Sequence, residues 1–439
     1  MSAAAAVTAA RLPGTREHAA EPAAARQDLR LAVFSPVPPT PTGIAAYLVD
    51  LLPLLPQCWR IDIFTDAGVD ADVALLARGR ERTVGCYAHT EFAARQAQDP
   101  YDLNVYQVGN SSERTWLLDY VAAHPGLLVL HDGVLHPARV DAATAQSDLH
   151  GYRDLARRCR PDVGNALGHL VAGGLGGPAL YFNFPMCEDV VRASLVTGMH
   201  GELACEWLRS VAPEARVVGL GHWRSVHLDA ARRDVWRQRL ADGDEVLIGS
   251  FGNIGAERRL DRVLHALADG CADTPWRLVV AGRVDARLGL DELAAQLGVA
   301  DRVAWHPHLD DADFVAVMGA VDVAVNLRWP QVRASSGVLH QLMQLGVPVL
   351  LSDVVHWREY PDDAVARIPP GPDAAEAAAL RAALRHWIED GDARRRAGTA
   401  AAAWAALHIT PDVMRRSYVE AVAEALRERS GQRPEDHRV

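Results

Sequence analysis

The chain alternates between short apolar runs and longer stretches of helical periodicity. The runs include LRLAVFSPV (29 to 37), RIDIFTD (60 to 66), LNVYQVGN (103 to 110), the LLVL of GLLVLHDGVLHPAR, ARVVGLGHW, EVLIGSF, WRLVVAGRV, DRVAWHPHL, VDVAVNL and VPVLL. A run that is apolar on both faces predicts a strand covered by helices on both sides, as in parallel sheets. Between the runs, IAAYLVDLLPLL has helical spacing, and LDRVLHAL puts Leu260, Val263, Leu264 and Leu267 on one face. Strands alternating with helices define an α/β protein. Residues 141 to 199 are helical in tendency but broken by VAGGLGGPALYFNFP, and the Arg-rich DAARRDVWRQRLADGD marks a domain boundary near residues 220 to 245. DAAEAAALRAALRHWIED and a final helix from Pro411 to about Arg427 close the chain. No period of about 20 to 50 residues recurs, which excludes a solenoid.

Length doubles the picture: 439 residues exceed one typical core and predict two domains. The first 28 residues are Ala-rich, lack a signal-type apolar core and read as a mobile tail. A net charge of -11, from 45 basic and 56 acidic residues, argues against a nucleic-acid-binding body. Six cysteines without C-x-x-C spacing encode neither a zinc knuckle nor a redox pair and fit a reduced cytoplasm. No run approaches the ~20 apolar residues of a membrane span.

The stretch richest in chemistry is NLRWPQVRASSGVLHQLMQLGVPVLLSD, from Asn326 to Asp353. It predicts a strand end, a loop holding Ser335, Ser336 and Gly337, a helix and a buried strand. A small-residue loop opening a helix offers unpaired N–H groups and the positive end of the helix dipole to a phosphate, although most such units are plain scaffolding. His131 and Asp132 stand at the carboxyl end of a strand, where open parallel sheets bind ligands. His136, five residues on, does not have helical metal-ligand spacing. GGLGG follows no strand and is read as a flexible loop near an acceptor rather than a dinucleotide fingerprint.

LMQLGVPVLLSD resembles the LEAMAxGxPVVxSD segment of family 4 glycosyltransferases, retaining enzymes of the two-domain GT-B fold, and RWPQVRASSG is similar to the RYPxxxExSG of one bacterial branch. GLLVLHD resembles that branch's VxxLHD strand end, and FGNIGAERRLDRVLHAL the FGxIxxxKxxDxxLxAL that opens the family's second domain. The resemblance implies two Rossmann-like domains facing across a cleft: an acceptor domain over 29 to 222 and a nucleotide-sugar donor domain over 245 to 407. A helix over 408 to 428 would cross back to the first. It places Gly43, Asn253, Arg258 and the amides of Ser335, Ser336, Gly337 and Val338 on the donor diphosphate. His306, Pro307, His308 and Gln341 would line the nucleoside, and Asp132, Arg333 and Ala334 the sugar. His131 and Arg258 would be the catalytic groups. Arg258 stands where the family has Lys, and can offer two parallel N–H donors to a phosphate.

The family's two glutamates, E-x7-E, are absent: Gln341 replaces the second, and Arg333 or Ala334, depending on alignment, the first. A modified donor sugar would suit that change. The implied activity is retaining transfer of a sugar from a nucleoside diphosphate, GDP favoured over UDP, to the O, N or S atom of a small-molecule acceptor, as in bacterial natural-product pathways. No metal or other cofactor is implied, and homodimerisation stays open. The alternatives are a non-catalytic sugar-nucleotide binder, or a sugar-nucleotide epimerase or glycosyl phosphorylase on the same fold.

Overall fold

The computed structural model describes residues 22 to 330, 333 to 371 and 373 to 431. By contact the chain divides into two units, the first formed by described residues 22 to 223, 333 to 335 and 410 to 431, the second by 224 to 330, 336 to 371 and 373 to 409.

The first unit is built on a seven-stranded sheet: β1 (Arg30–Phe34), β2 (Arg60–Thr65), β3 (Val84–Ala88), β4 (Leu103–Val108), β5 (Leu127–Leu130), β6 (Val196–His200) and β7 (Val217–Leu220), in the order β3-β2-β1-β4-β5-β6-β7. Its described pairs are all parallel, Val33 lying beside Ile63 on one side and Val105 on the other. Every residue of β4, β5 and β6 is buried, as continuous apolar runs require when helices cover both faces. The helix Pro411–Arg429 lies against this sheet, capped by Thr410, whose side chain accepts from the Val413 amide, and opened by Pro411. Gly221 admits it: a Cβ there would stand 2.8 Å from the Met414 Cα.

Two expectations are corrected by packing. Residues 22 to 28, assigned to a tail, are folded: Ala24 and Ala25 are buried, and the Trp59 indole donates to the Ala24 carbonyl at 3.0 Å. The rest of that segment, 1 to 21, lies outside the described residues. The helix Ala230–Leu240, placed between the domains by its charge, packs within the second unit through Trp236, whose indole donates to Asp313 at 2.9 Å.

The second unit carries β8 (Val246–Phe251), β9 (Trp276–Ala281), β10 (Val303–His306), β11 (Val323–Asn326), β12 (Val349–Ser352) and β13 (Val365–Ile368) in the parallel order β10-β9-β8-β11-β12-β13. This is the doubly wound arrangement whose strand order reverses between β8 and β11, and in such sheets ligands bind beyond the carboxyl ends at that reversal. Behind it, Arg259 turns the chain into the helix Leu260–Gly270 with a left-handed φ of 52°. Its guanidinium makes a two-pronged pair with Glu376, which is 1% exposed. Removing one member of a buried pair typically costs about 3 to 5 kcal/mol, because the other charge stays buried. Glu376→Ala is expected to lower the stability of the second unit by that order in denaturant titration, and an unchanged midpoint would refute it.

Candidate functional site

At the reversal of the second sheet, the backbone after β8 is held by glycines. Gly252 has φ +92° and its amide donates to the Ala281 carbonyl at 2.9 Å. Gly282, φ +131°, presses so close that a Cβ on it would lie 2.2 Å from the Gly252 oxygen. The chain then turns through Ala256–Arg258 and sends the Arg258 side chain back under the loop. Arg258 Nη2 donates to the Phe251 carbonyl at 2.7 Å, Nε to the Asn253 carbonyl at 3.1 Å, and Nη1 to Asn326 Oδ1.

Arg258 is 6% exposed and, among the described residues, its guanidinium pairs with no carboxylate. Burial pushes its pKa well below the usual value and nearby Arg328 adds to this, with Glu257 opposing. Because an arginine does not give up its proton in a protein, such a cation among neutral acceptors favours an anion beside it.

The helix Gly337–Gln344 points its N-terminus at the same place. Ser336 caps it, its hydroxyl accepting from the Leu339 amide at 3.3 Å and from Asn326 Nδ2 at 3.4 Å. A Cβ on Gly252 would stand 3.1 Å from Arg258 Nη2 and 3.7 Å from Val338 Cγ2, so the loop, the cation and the helix start converge. Asn326 joins Arg258 to Ser336. Sequence reasoning missed it, although a polar residue closing the apolar Val323, Ala324 and Val325 is the signal that marks it.

The remaining predicted residues of this unit divide. Asn253 is exposed at the loop tip. The His306 carbonyl accepts from the Gly282 amide at 2.9 Å, which ties β10 to the glycine pair, and its half-buried ring meets Trp236 edge-on at 5.2 Å. Pro307 and His308 are exposed beyond it. Gln341 is buried, and its amide nitrogen donates to the Ser225 carbonyl at 3.1 Å.

In the first unit, Gly43 begins the helix Gly43–Leu51, which Thr42 caps by accepting from the Ala45 amide at 3.1 Å, and a Cβ on Gly43 would meet nothing within 4 Å. Asp132, after β5, accepts from the Asn110 amide at 2.7 Å. His131 beside it has both ring nitrogens engaged: Nε2 lies 2.7 Å from Gln107 Oε1, and Nδ1 lies 3.3 Å from Nε2 of His200. His222 meets Ser335 Oγ at 2.9 Å, and Tyr47 stands edge-on to His131 and His222. Arg333, at φ +59°, places its guanidinium 5.1 Å from the centre of the Trp207 ring, and Ala334 is buried. Gln107, His200, His222 and Trp207 carried no signal in the sequence pattern. Among the described residues no group of three or more His, Cys, Asp or Glu could hold a metal ion, and no helix is long and apolar enough to cross a membrane.

Residues 232 to 404 match the family model described as Glycosyl transferases group 1, a segment lying almost wholly in the second unit. No curated protein matches the chain. Among solved structures, it is similar to sucrose-phosphate synthase from Thermosynechococcus elongatus, with TM-score 0.62 and 16% identity over 92% of this chain and 98% of that one. It is likewise similar to Anabaena HepE in complex with UDP and glucose (0.62, 14% identity, 90% and 99%) and to WaaG, a glycosyltransferase involved in lipopolysaccharide biosynthesis (0.55, 16%, 87% and 97%). Two parallel-sheet α/β domains matched along nearly their whole length by these structures define the fold as GT-B.

Proposed function

We propose that this chain is a glycosyltransferase whose second unit binds the diphosphate of a sugar nucleotide. One observation carries the reading: Arg258, a buried cation paired with neutral acceptors, lies at the sheet reversal beside a helix N-terminus. Each is an anion-binding device, and together they would neutralise a departing diphosphate, in place of a metal ion, by charge and position. The match of residues 232 to 404 to a glycosyltransferase family model supports the same reading.

In the retaining form of the reaction, the acceptor atom attacks the anomeric carbon from the face the diphosphate leaves. The bond from carbon to phosphate oxygen breaks, and the acceptor's proton passes to that oxygen. The first unit, with His131 and Asp132 after β5, carries the acceptor side in this reading. Gln341, with Arg333 or Ala334, in place of the two acids of the resembled family would suit a modified sugar on the donor, read without those carboxylates, and in this reading the acceptor is a small molecule.

The nucleobase is the first quantity to fix. Guanine, carried as GDP, is the base we favour, whereas HepE has been solved with UDP and UDP-glucose. Calorimetric titration with GDP, UDP and the matching nucleosides is expected to show one diphosphate bound at least tenfold more tightly than its nucleoside. If neither diphosphate binds, the donor-site reading fails. Efficient transfer from an ordinary nucleotide hexose would leave the activity standing and remove the modified sugar.

A further inference from the structure

The first unit contains a buried row of polar groups that runs from the C-terminal helix through the end of β5: Tyr418 hydroxyl, Gln107 amide, His131, His200 and the Leu220 carbonyl, at successive separations of 2.8, 2.7, 3.3 and 3.3 Å. Its proton count is fixed by its ends. The Leu220 carbonyl can only accept, so His200 Nδ1 bears a hydrogen. If His200 is neutral, its Nε2 is a lone pair and His131 Nδ1 must donate to it. If His131 is also neutral, its Nε2 is then a lone pair, and the group facing it at 2.7 Å must be a donor. An amide oxygen cannot donate. With Gln107 Oε1 toward His131, the row is complete only when the two imidazoles share one extra proton. With the amide turned by half a rotation, its NH2 donates to His131, its oxygen accepts from the Tyr418 hydroxyl, and the row is complete with both rings neutral.

We infer that Gln107, anchored by Tyr418, is a positioning residue that holds His131 as the neutral Nδ1–H tautomer by donating to its Nε2. The groups facing the pair favour the neutral state: Tyr47 edge-on to His131, His222 with its ring centre 4.7 Å from that of His200, and Tyr418 behind Gln107, and among the described residues no carboxylate hydrogen-bonds to either imidazole. Burial, and for His131 also the proximity of His200, lowers the proton affinity of both rings, and for His200 it outweighs the Leu220 and Gly221 backbone hydrogen bonds, which act to raise it. With Nε2 covered and Nδ1 spent on His200, His131 is not a proton carrier. It is a fixed neutral dipole at the carboxyl end of β5, and this bearing on catalysis rests on the role given to His131 above. The bonding itself stands without it.

The test uses the full chain, labelled with ¹⁵N at histidine and observed by long-range proton–nitrogen correlation, with His131→Gln and His200→Gln spectra serving for assignment. At pH 7.5 the wild type is expected to show His131 and His200 each with hydrogen on Nδ1 and a bare Nε2. A His131 found as the Nε2–H tautomer, or as imidazolium at that pH, overturns the proposal without any variant. Gln107→Glu replaces the donor by a carboxylate of the same shape and is expected to raise the proton affinity of the His131 pair more than tenfold. In a folded Gln107→Glu protein, an unshifted titration also overturns it. Since these spectra are taken on resting protein, they are independent of whether glycosyl transfer is found, and a pH–rate profile of the two proteins then tests the catalytic part.

Discussion

Arg258→Lys is expected to weaken binding of a nucleoside diphosphate by roughly ten- to a hundredfold, the size of one lost charge-assisted contact of about 1.5 to 3 kcal/mol, while leaving nucleoside binding near the wild-type value. The split follows from what holds the guanidinium. Nε and one hydrogen from each Nη are spent on Asn253, Asn326 and Phe251, which leaves the fork fixed in direction with two N–H bonds to spare. An ammonium has three donors on a flexible stem; satisfying those acceptors would consume all of them. Lysine is the informative substitution because alanine would also strand three buried acceptors and confuse folding with binding. Calorimetry on both proteins, with thermal melting to confirm that Arg258→Lys is folded, decides the matter. Diphosphate affinity equal to that of the wild type would remove Arg258 from the site.

How much of this was legible beforehand depended on the range of the interaction. The strands that are largely buried on both faces announce themselves as apolar runs, and β1, β2, β4, β5, β8, β9, β11 and β12 all do so; the edge strands β7 and β10 are less buried and still read as runs. Three do not: β3 with VGCYA and β13 with VARI lie at sheet edges, where partly exposed positions break the run, and β6 with VTGMH is fully buried but interrupted by Thr197 and Gly198, in a stretch read as helical in tendency. In the candidate site, the start of the helix at Ser336 and Gly337 and the position of Arg258 after Gly252 follow from local pattern and resemblance. That Arg258 is buried without a carboxylate does not, because its partner Asn326 is 68 residues away. The same holds more strongly for His131. Its neighbours Gln107 and His200 come from other strands, and Tyr418 stands 311 residues from Gln107 in the chain. One sequence gives the residue types but not these pairings, so it nominates His131 as a group in a site without showing that both its nitrogens are occupied.

The same burial makes the first unit acid-sensitive. Burial pushes His200 down to about 4 and His136 to about 4 from 6.5, and His131 well below its usual value. His136 lies between the Phe184 carbonyl at 2.7 Å, which opposes the shift, and the Tyr152 hydroxyl at 2.6 Å, and burial outweighs that carbonyl. Above pH ~6.5 neither the folded nor the unfolded chain protonates these rings, and their contribution is fully present. Below it the unfolded chain gains protons that the folded one refuses, so stability falls until the folded rings titrate near pH 4. For His200 and His136 the interval corresponds to roughly 3 kcal/mol each. Glu188 acts in the opposite sense, since burial raises its pKa and its neutral form gains as pH falls. The expected result is a loss of amide protection in β4, β5 and β6 between pH 6.5 and 4.5, followed by hydrogen exchange. In His200→Gln the slope of stability against pH over that interval is expected to fall by about one proton. An unchanged slope in a folded His200→Gln protein would show that His200 titrates as freely in the native unit as in the unfolded chain.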